Sequence, residues 1–241
     1  MISSMGKTNA PSLAYRRLLC NLALVALLSP ACTLSAQDTP QKSSPPPAAV
    51  TTLNPTDLTD FTSLPPLIQT RLTAALALTR LNLTYLPNSH DPKSRGMDCS
   101  GAIYHLFQSL GHTDIPRQSD QIAQWLIEKS TLNSVNDSHS LSAPAFDSLK
   151  PGDLLFWTTS DAPKARQMPI THVMLYLGTH KTTGKPLLFG SSDGRTYAGQ
   201  RRTGVSVFDL TLPKATSKST LHSFGPPPPI PTPKKKRTIS K

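Results

Sequence analysis

Gly96-Met97-Asp98-Cys99-Ser100-Gly101-Ala102-Ile103-Tyr104-His105-Leu106-Phe107 begins as a loop and continues as a helix. From Cys99 onward the apolar residues Ile103, Leu106, Phe107 and Leu110 recur at helical spacing, and Gly111 supplies the stop. Cys99 therefore falls in the first turn, where unpaired backbone N–H groups and the helix dipole favour negative charge and stabilise a thiolate. The same N–H groups can hold a developing oxyanion, so one geometry would serve both nucleophile and transition state. The competing reading is a small buried cysteine at a helix start, and the rest of the chain decides between the two.

Net charge is +11 over 241 residues, which resembles a nucleic-acid signal until it is located. Lys7, Arg16 and Arg17 contribute +3 within residues 1–31; Lys234, Lys235, Lys236, Arg237 and Lys241 contribute +5 within 226–241. The +3 that remains is ordinary for a folded domain and gives no reason to expect specific nucleic-acid binding.

Residues 1–31 read as a secretory signal peptide. Arg16-Arg17 precede the apolar run Leu18 to Leu28, and Ser29-Pro30-Ala31 offers small residues for cleavage. The run is short for a membrane span, although an uncleaved anchor is the alternative. Cys32 directly after Ala31 suggests a lipoprotein cleavage site, which would leave the protein exported and lipid-anchored in the periplasm or cell envelope. With Cys20 lost in the leader and Cys32 lipidated or in a tail, Cys99 has no evident partner in an oxidising compartment. A thiol kept there is either inert by burial or kept for reactivity.

Residues 32–60 lack apolar periodicity and read as a Pro/Ser-rich linker, leaving 61–225 as a single domain. Residues 226–241 read as a Pro-rich basic tail, either a solvated end or an adhesive segment for an anionic polymer or membrane surface. Between them, Leu64, Ile68, Leu72, Ala75, Leu76 and Thr79 mark one helix face, and Ser119 caps a helix through Ile122, Trp125 and Leu126. Residues 130–147 read as a surface loop. The period then changes: Leu154–Trp157, Thr171–Gly178, Leu187–Gly190 and Gly204–Phe208 are strands. Helices followed by an antiparallel meander of at least four strands predict an α+β fold with the helices packed on one side of the sheet.

His172 heads the second strand, on the face opposite Val173, Leu175 and Leu177. A helix-entrance cysteine and a strand-borne histidine in one domain supply what thiol acyl transfer needs, a nucleophile and a group to take its proton. No Cys/His spacing suggests zinc, and nothing calls for a cofactor.

Four motifs resemble the NlpC-type cell-wall cysteine peptidases, which are papain-like: Asp98-Cys99-Ser100-Gly101, Ile115-Pro116-Arg117-Gln118-Ser119, Leu149-Lys150-Pro151-Gly152-Asp153-Leu154-Leu155-Phe156 and His172-Val173-Met174-Leu175-Tyr176-Leu177-Gly178. They occur in family order across roughly residues 66–210. The resemblance implies Cys99 as nucleophile and His172 as base, with Tyr85, Asp98, Ser100 and Arg117 near the substrate groove, Arg117 being equally open to a structural role. The implied substrate is a peptide stem of peptidoglycan, cut at an amide beside a D-amino acid or diamino acid. Three departures are visible: Leu86-Pro87-Asn88-Ser89-His90 replaces the usual Trp-Gly-Gly, the loop from Thr158 to Ile170 is long, and Gly190 stands where the family carries a polar residue, often His, that orients the base. If the strand runs on past Gly190, alternation makes Ser192 the substitute orienter; if the chain turns at Gly190, Asp193 swings in, and the order is Ser192, then Asp193, then a backbone carbonyl or water, with Ser191 last. The rival readings are an amidase or acyl transferase of the same fold, a non-catalytic wall-binding module, and a basic-tailed scaffold for an anionic polymer.

Overall fold

A computed structural model describes residues 47–229 apart from 136, 137 and 139; the signal peptide, Cys20, Cys32, His139 and the basic tip lie outside the described residues. In chain order the elements are α1 (Pro66–Thr79), β1 (Thr84–Tyr85), β2 (Gly96–Met97), α2 (Cys99–Ser109), α3 (Ser119–Lys129), β3 (Asn133–Ser134), β4 (Leu154–Thr159), β5 (Ile170–Thr179), β6 (Pro186–Ser192), β7 (Thr196–Tyr197), β8 (Gln200–Arg201), β9 (Gly204–Asp209) and β10 (Ser219–Gly225). None of the described helices is long and apolar enough to cross a membrane.

Each helix forms where the apolar spacing places it. Pro66 opens α1, where its missing N–H costs nothing, and Leu72, Ala75, Leu76 and Thr79 are its buried stripe. In α2 the stripe is Ala102, Ile103, Leu106 and Phe107, and in α3 it is Ile122, Ala123, Trp125 and Leu126. These stripes meet Phe156, Val173, Leu175, Phe189, Val205 and Val207 from one face of the sheet, forming the main core. On the other face Leu155, Trp157, Met174, Tyr176, Leu188 and Phe208 make a second apolar layer with Phe146 and Phe224.

The main sheet is antiparallel with order β3-β10-β4-β5-β6-β9. The α+β class and the meander agree with the sequence reading, but the sheet has six strands. β10 carries no clear sequence signal because a register shift between Leu221 and Ser223 breaks its alternation, which lets Leu221 and Phe224, three residues apart, join the same layer. β3 is two residues long within the segment read as a loop.

The expected boundary at residue 60 is corrected. Ala49 bridges Thr203, the Thr51 carbonyl accepts from Val207 N–H at 3.0 Å, and Leu58 is 2% exposed. Residues 49–58 are thus part of the folded unit: Ala49 and Thr51 run along the outer edge of β9, and Leu58 bridges His180 just past β5. Downstream, Pro227 and Pro228 are buried, so the fold also reaches past 225.

Candidate active site

Asp98 fixes the start of α2. Its backbone is extended, and its Oδ1 accepts from Gly101 N–H at 2.6 Å and from the Ser100 hydroxyl at 3.2 Å, an N-cap that sets Cys99 as the first helical residue. Arg117, from the turn before α3, then ties this cap down. Its guanidinium donates to Ser100 Oγ at 2.8 Å, to the Ser89 carbonyl at 3.1 Å and to Asp98 Oδ2 at 2.7 Å. A forked, planar donor is what three acceptors in different directions require, and lysine would not match it. Asp98, Ser100 and Arg117 do line the cleft as expected, but their polar atoms hold one another, so their first role is to fix the Cys99 loop.

The segment Pro87-Asn88-Ser89-His90 packs directly on that loop. Ser89 Oγ donates to the Gly96 carbonyl at 2.7 Å, and the Ser89 carbonyl accepts Asp98 N–H at 3.0 Å. A Cβ at Gly101 would lie 2.0 Å from the same carbonyl, so only glycine permits this approach. The stretch that departs from the family sequence therefore forms a wall of the site.

Cys99 opens onto a cleft of about 480 Å³ lined also by Tyr85, Asn88, Gln118, Arg166 and Thr171. The sulfur is nearly buried, with the residue 8% exposed. Burial pushes the thiol up from its ordinary value and Asp98 adds to this, while the backbone of Val173 and Ser100 and the charge of Arg117 pull it back. The depressed thiol expected from the helix position is thus corrected: desolvation at this depth outweighs the dipole of the first turn. Tyr85, at the cleft rim, is pushed up to about 12 by burial and by the nearby Cys99, Asp193 and Asp98.

His172 belongs to β5 directly beside Val173, whose backbone faces the Cys99 sulfur, so this strand passes close to Cys99. It pairs across the ladder with Trp157, and the two rings meet edge to face at 5.7 Å. Although the residue retains some exposed surface, Nε2 is shut off from solvent and has no hydrogen-bond partner. Burial, and then the charge of Arg195, push its pKa down to about 3.

The expected orienters do not reach it. Ser192 Oγ accepts from Gly194 N–H at 3.4 Å, the Asp193 side chain is exposed while its carbonyl accepts from Arg201 Nε at 3.0 Å, and Ser191 Oγ donates to the Met97 carbonyl at 2.6 Å. Ser192 and Asp193 are therefore corrected as catalytic candidates. The physical reason lies at Gly190, where an added Cβ would fall 2.9 Å from Met174 Cε: a thioether fills the space of an orienting side chain.

Two arginines went unnoticed in the sequence. Arg166, in the long loop before β5, donates to the Ile170 carbonyl at 2.6 Å and pairs with Asp120 at 3.3 Å, closing the far side of the cleft. Arg195, in the turn after β6, stacks over Trp157 with its guanidinium carbon 4.2 Å from the ring centroid. Neither lies in a periodic stretch, and no local pattern marks either one.

The sequence profile of the NlpC/P60 family matches residues 87–193, a span that runs from the cleft wall through Cys99 and His172 to the turn after β6. Over that span the chain is similar to the NlpC/P60 family. Among solved structures, a novel NlpC/P60 endopeptidase from Photobacterium damselae subsp. piscicida is similar over 63% of this chain and 38% of its own length, at 16% identity and a TM-score of 0.39. This chain thus corresponds to well under two thirds of that protein. No curated protein matches the sequence.

Proposed function

We propose that the protein is an exported cysteine hydrolase that cleaves amide bonds in peptidoglycan stem peptides, with Cys99 as nucleophile and His172 as the proton-handling group. The observation that carries this reading is the placement of Cys99: first residue of α2, capped by Asp98, packed against the Val173 backbone of the His172 strand, and open to a peptide-sized cleft. The similarity of residues 87–193 to the NlpC/P60 family supports the substrate class. Export rests on the leader-like residues 1–31, lipid anchoring on Cys32, and adhesion to anionic wall polymer or a membrane surface on the basic tail.

In this reading the Cys99 thiol passes its proton to His172 as the sulfur attacks the carbonyl carbon of the scissile amide, and backbone N–H groups at the start of α2 stabilise the oxyanion. The C–N bond then breaks, and the amine leaves with a proton delivered through His172. Water attacks the resulting thioester, His172 accepts its proton, and the S–C bond breaks to restore Cys99. A neutral imidazole, which is how burial keeps His172, suits that last step.

The unpartnered Nε2 of His172 favours a second reading, a wall-binding module of the same fold without turnover. Digestion of purified peptidoglycan by wild type and Cys99→Ala, with fragments identified by mass, separates the two. Fragments that appear with wild type and not with the variant support the hydrolase. Intact wall after wild-type treatment makes the binding module the better reading.

A further inference from the structure

The long loop between Thr158 and Ile170 is tied down around a single arginine. Ala162 N–H donates to the Thr159 carbonyl at 3.0 Å, Arg166 N–H donates to the Pro163 carbonyl at 3.1 Å, and Met168 packs against the main core. The loop is thus folded on both sides of Arg166, the cation it contributes to the Cys99 cleft.

Within that guanidinium one nitrogen does all the anchoring. Nη1 donates to the Ile170 carbonyl at 2.6 Å, to Ser119 Oγ at 3.2 Å and to Asp120 Oδ1 at 3.3 Å. Nε and Nη2 make no hydrogen bond among the described residues, and neither is shut off from solvent. These two N–H groups share one edge of the planar group and point the same way, which suits both oxygens of a carboxylate. The Asp120 side chain, 5% exposed, holds the guanidinium from within the wall, so the fork is set before any ligand arrives.

The surroundings of that edge identify its ligand. Ile170 opens β5 two residues before His172, and Thr171 between them lines the same cleft as Arg166 and Cys99. The cleft's other arginine, Arg117, has both terminal nitrogens committed to Ser100, Ser89 and Asp98. A phosphate calls for several free cations, and here one fork stands beside a buried carboxylate that would repel a dianion. A singly charged carboxylate is the anion that fits.

We propose that Arg166 is a specificity-determining residue that grips a free carboxylate of the peptide held in the Cys99 cleft, through Nε–H and Nη2–H. The assignment rests on reading that cleft as a stem-peptide site, and it gives the long loop a role in choosing acidic over amidated peptides. Such a peptide offers two sources of the group, the α-carboxylate of a γ-linked D-glutamyl residue and the C-terminus. An arginine that only stapled the loop to β5 and α3 would be indifferent to either.

The experiment is titration calorimetry on the full chain carrying Cys99→Ala, so that binding is read without turnover. The probes are the tripeptide L-Ala-γ-D-Glu-L-Lys and two counterparts, one amidated at the D-glutamyl carboxylate and one at the C-terminus. One of the two amidations should weaken binding about tenfold, which names the carboxylate that is held. Adding Arg166→Gln should weaken the free acid about tenfold and leave that amidated peptide unchanged. Arg166→Lys keeps the charge without the fork and should lose most of the discrimination. Equal binding of all three peptides, or binding of none, would overturn the proposal. So would a loss in Arg166→Gln that is the same for acid and amide, which is what a stapling role predicts. Should Arg166→Gln not fold, Arg166→Lys decides, and full discrimination in that variant overturns the assignment. Wall digestion by wild type is read separately. If it succeeds while Arg166→Gln still discriminates, the hydrolase reading stands and this assignment falls; if it fails while discrimination follows Arg166, the reverse holds.

Discussion

His172 should make the fold sensitive to acid, and the size of the effect follows from its burial. Its pKa drops from 6.5 in the unfolded chain to about 3 in the fold, so between these values the unfolded state binds the extra proton. Stability from this group is intact above pH 6.5 and is lost as pH falls. At pH 4.5 the loss is about 2.7 kcal/mol, from about 1.36 kcal/mol per unit over two units. Asp153 works the other way. Burial raises its pKa from 3.8 to about 6, so it contributes stability below its unfolded pKa that is lost as pH rises through 6. Between pH 7.5 and 4.5 Asp153 returns about 2 kcal/mol, which masks most of the histidine loss in wild type. The histidine's share emerges in comparison with His172→Phe, which keeps a ring against Trp157 and cannot titrate. Urea unfolding of both proteins at pH 7.5 and 4.5 should show the variant gaining about 2.7 kcal/mol relative to wild type over that range. A relative gain below about 0.5 kcal/mol would mean that His172 takes up its proton in the folded state as readily as in the unfolded one, and the argument from its shielded Nε2 would fail.

Gly101→Ala should lower stability by about 3 kcal/mol and abolish Cys99 reactivity, because the new methyl meets the Ser89 backbone and no rotamer relieves it; a thermal melt within a few degrees of wild type would refute this. Arg117→Lys should cost about 1–2 kcal/mol despite keeping the charge, since an ammonium cannot reach Ser100, Ser89 and Asp98 together; calorimetry showing an unchanged melting temperature would contradict the fork. Gly190→His should destabilise the fold by steric conflict with Met174, and Met174→Ala in the same chain should recover much of the loss. Additive losses in the double variant would show that the two positions do not share that space.

The helices were legible because their burial is periodic: Ile103, Leu106 and Phe107 in α2, and Ile122, Trp125 and Leu126 in α3, lie at the spacing that one buried face demands. The strands β4, β5, β6 and β9 were legible as short apolar runs. The strand β10 was not, since its register shift moves side chains between faces in a way no alternation predicts. In the candidate site, the placement of Cys99 at the head of α2 and of His172 in β5 was legible because each belongs to a local element with a recognisable start. What surrounds them was not, because it depends on contacts between distant segments. Arg195 reaches Trp157 across the chain, Met174 fills the space over Gly190 from the neighbouring strand, and neither relation has a local pattern. The helix-dipole argument for a low thiol pKa was sound as local chemistry, but the burial that outweighs it is a property of the assembled fold.

The segment along β9 sets where this protein can be cut. Ala49 and Thr51 hydrogen-bond to Thr203 and Val207, which occupies the outer rim of the six-stranded sheet much as an added strand would. A shortened protein beginning at residue 61 would keep every motif and all three helices. It would also leave Thr203 N–H and C=O and Val207 N–H without their partners at the edge of the sheet, and would give up the burial of Leu58, roughly 2 kcal/mol. Sheet rims left open in this way recruit strands from other molecules. Trimming the proline-rich leader to obtain a smaller domain would therefore yield a self-associating protein, and the apparent tether is better regarded as the sheet's guard rail.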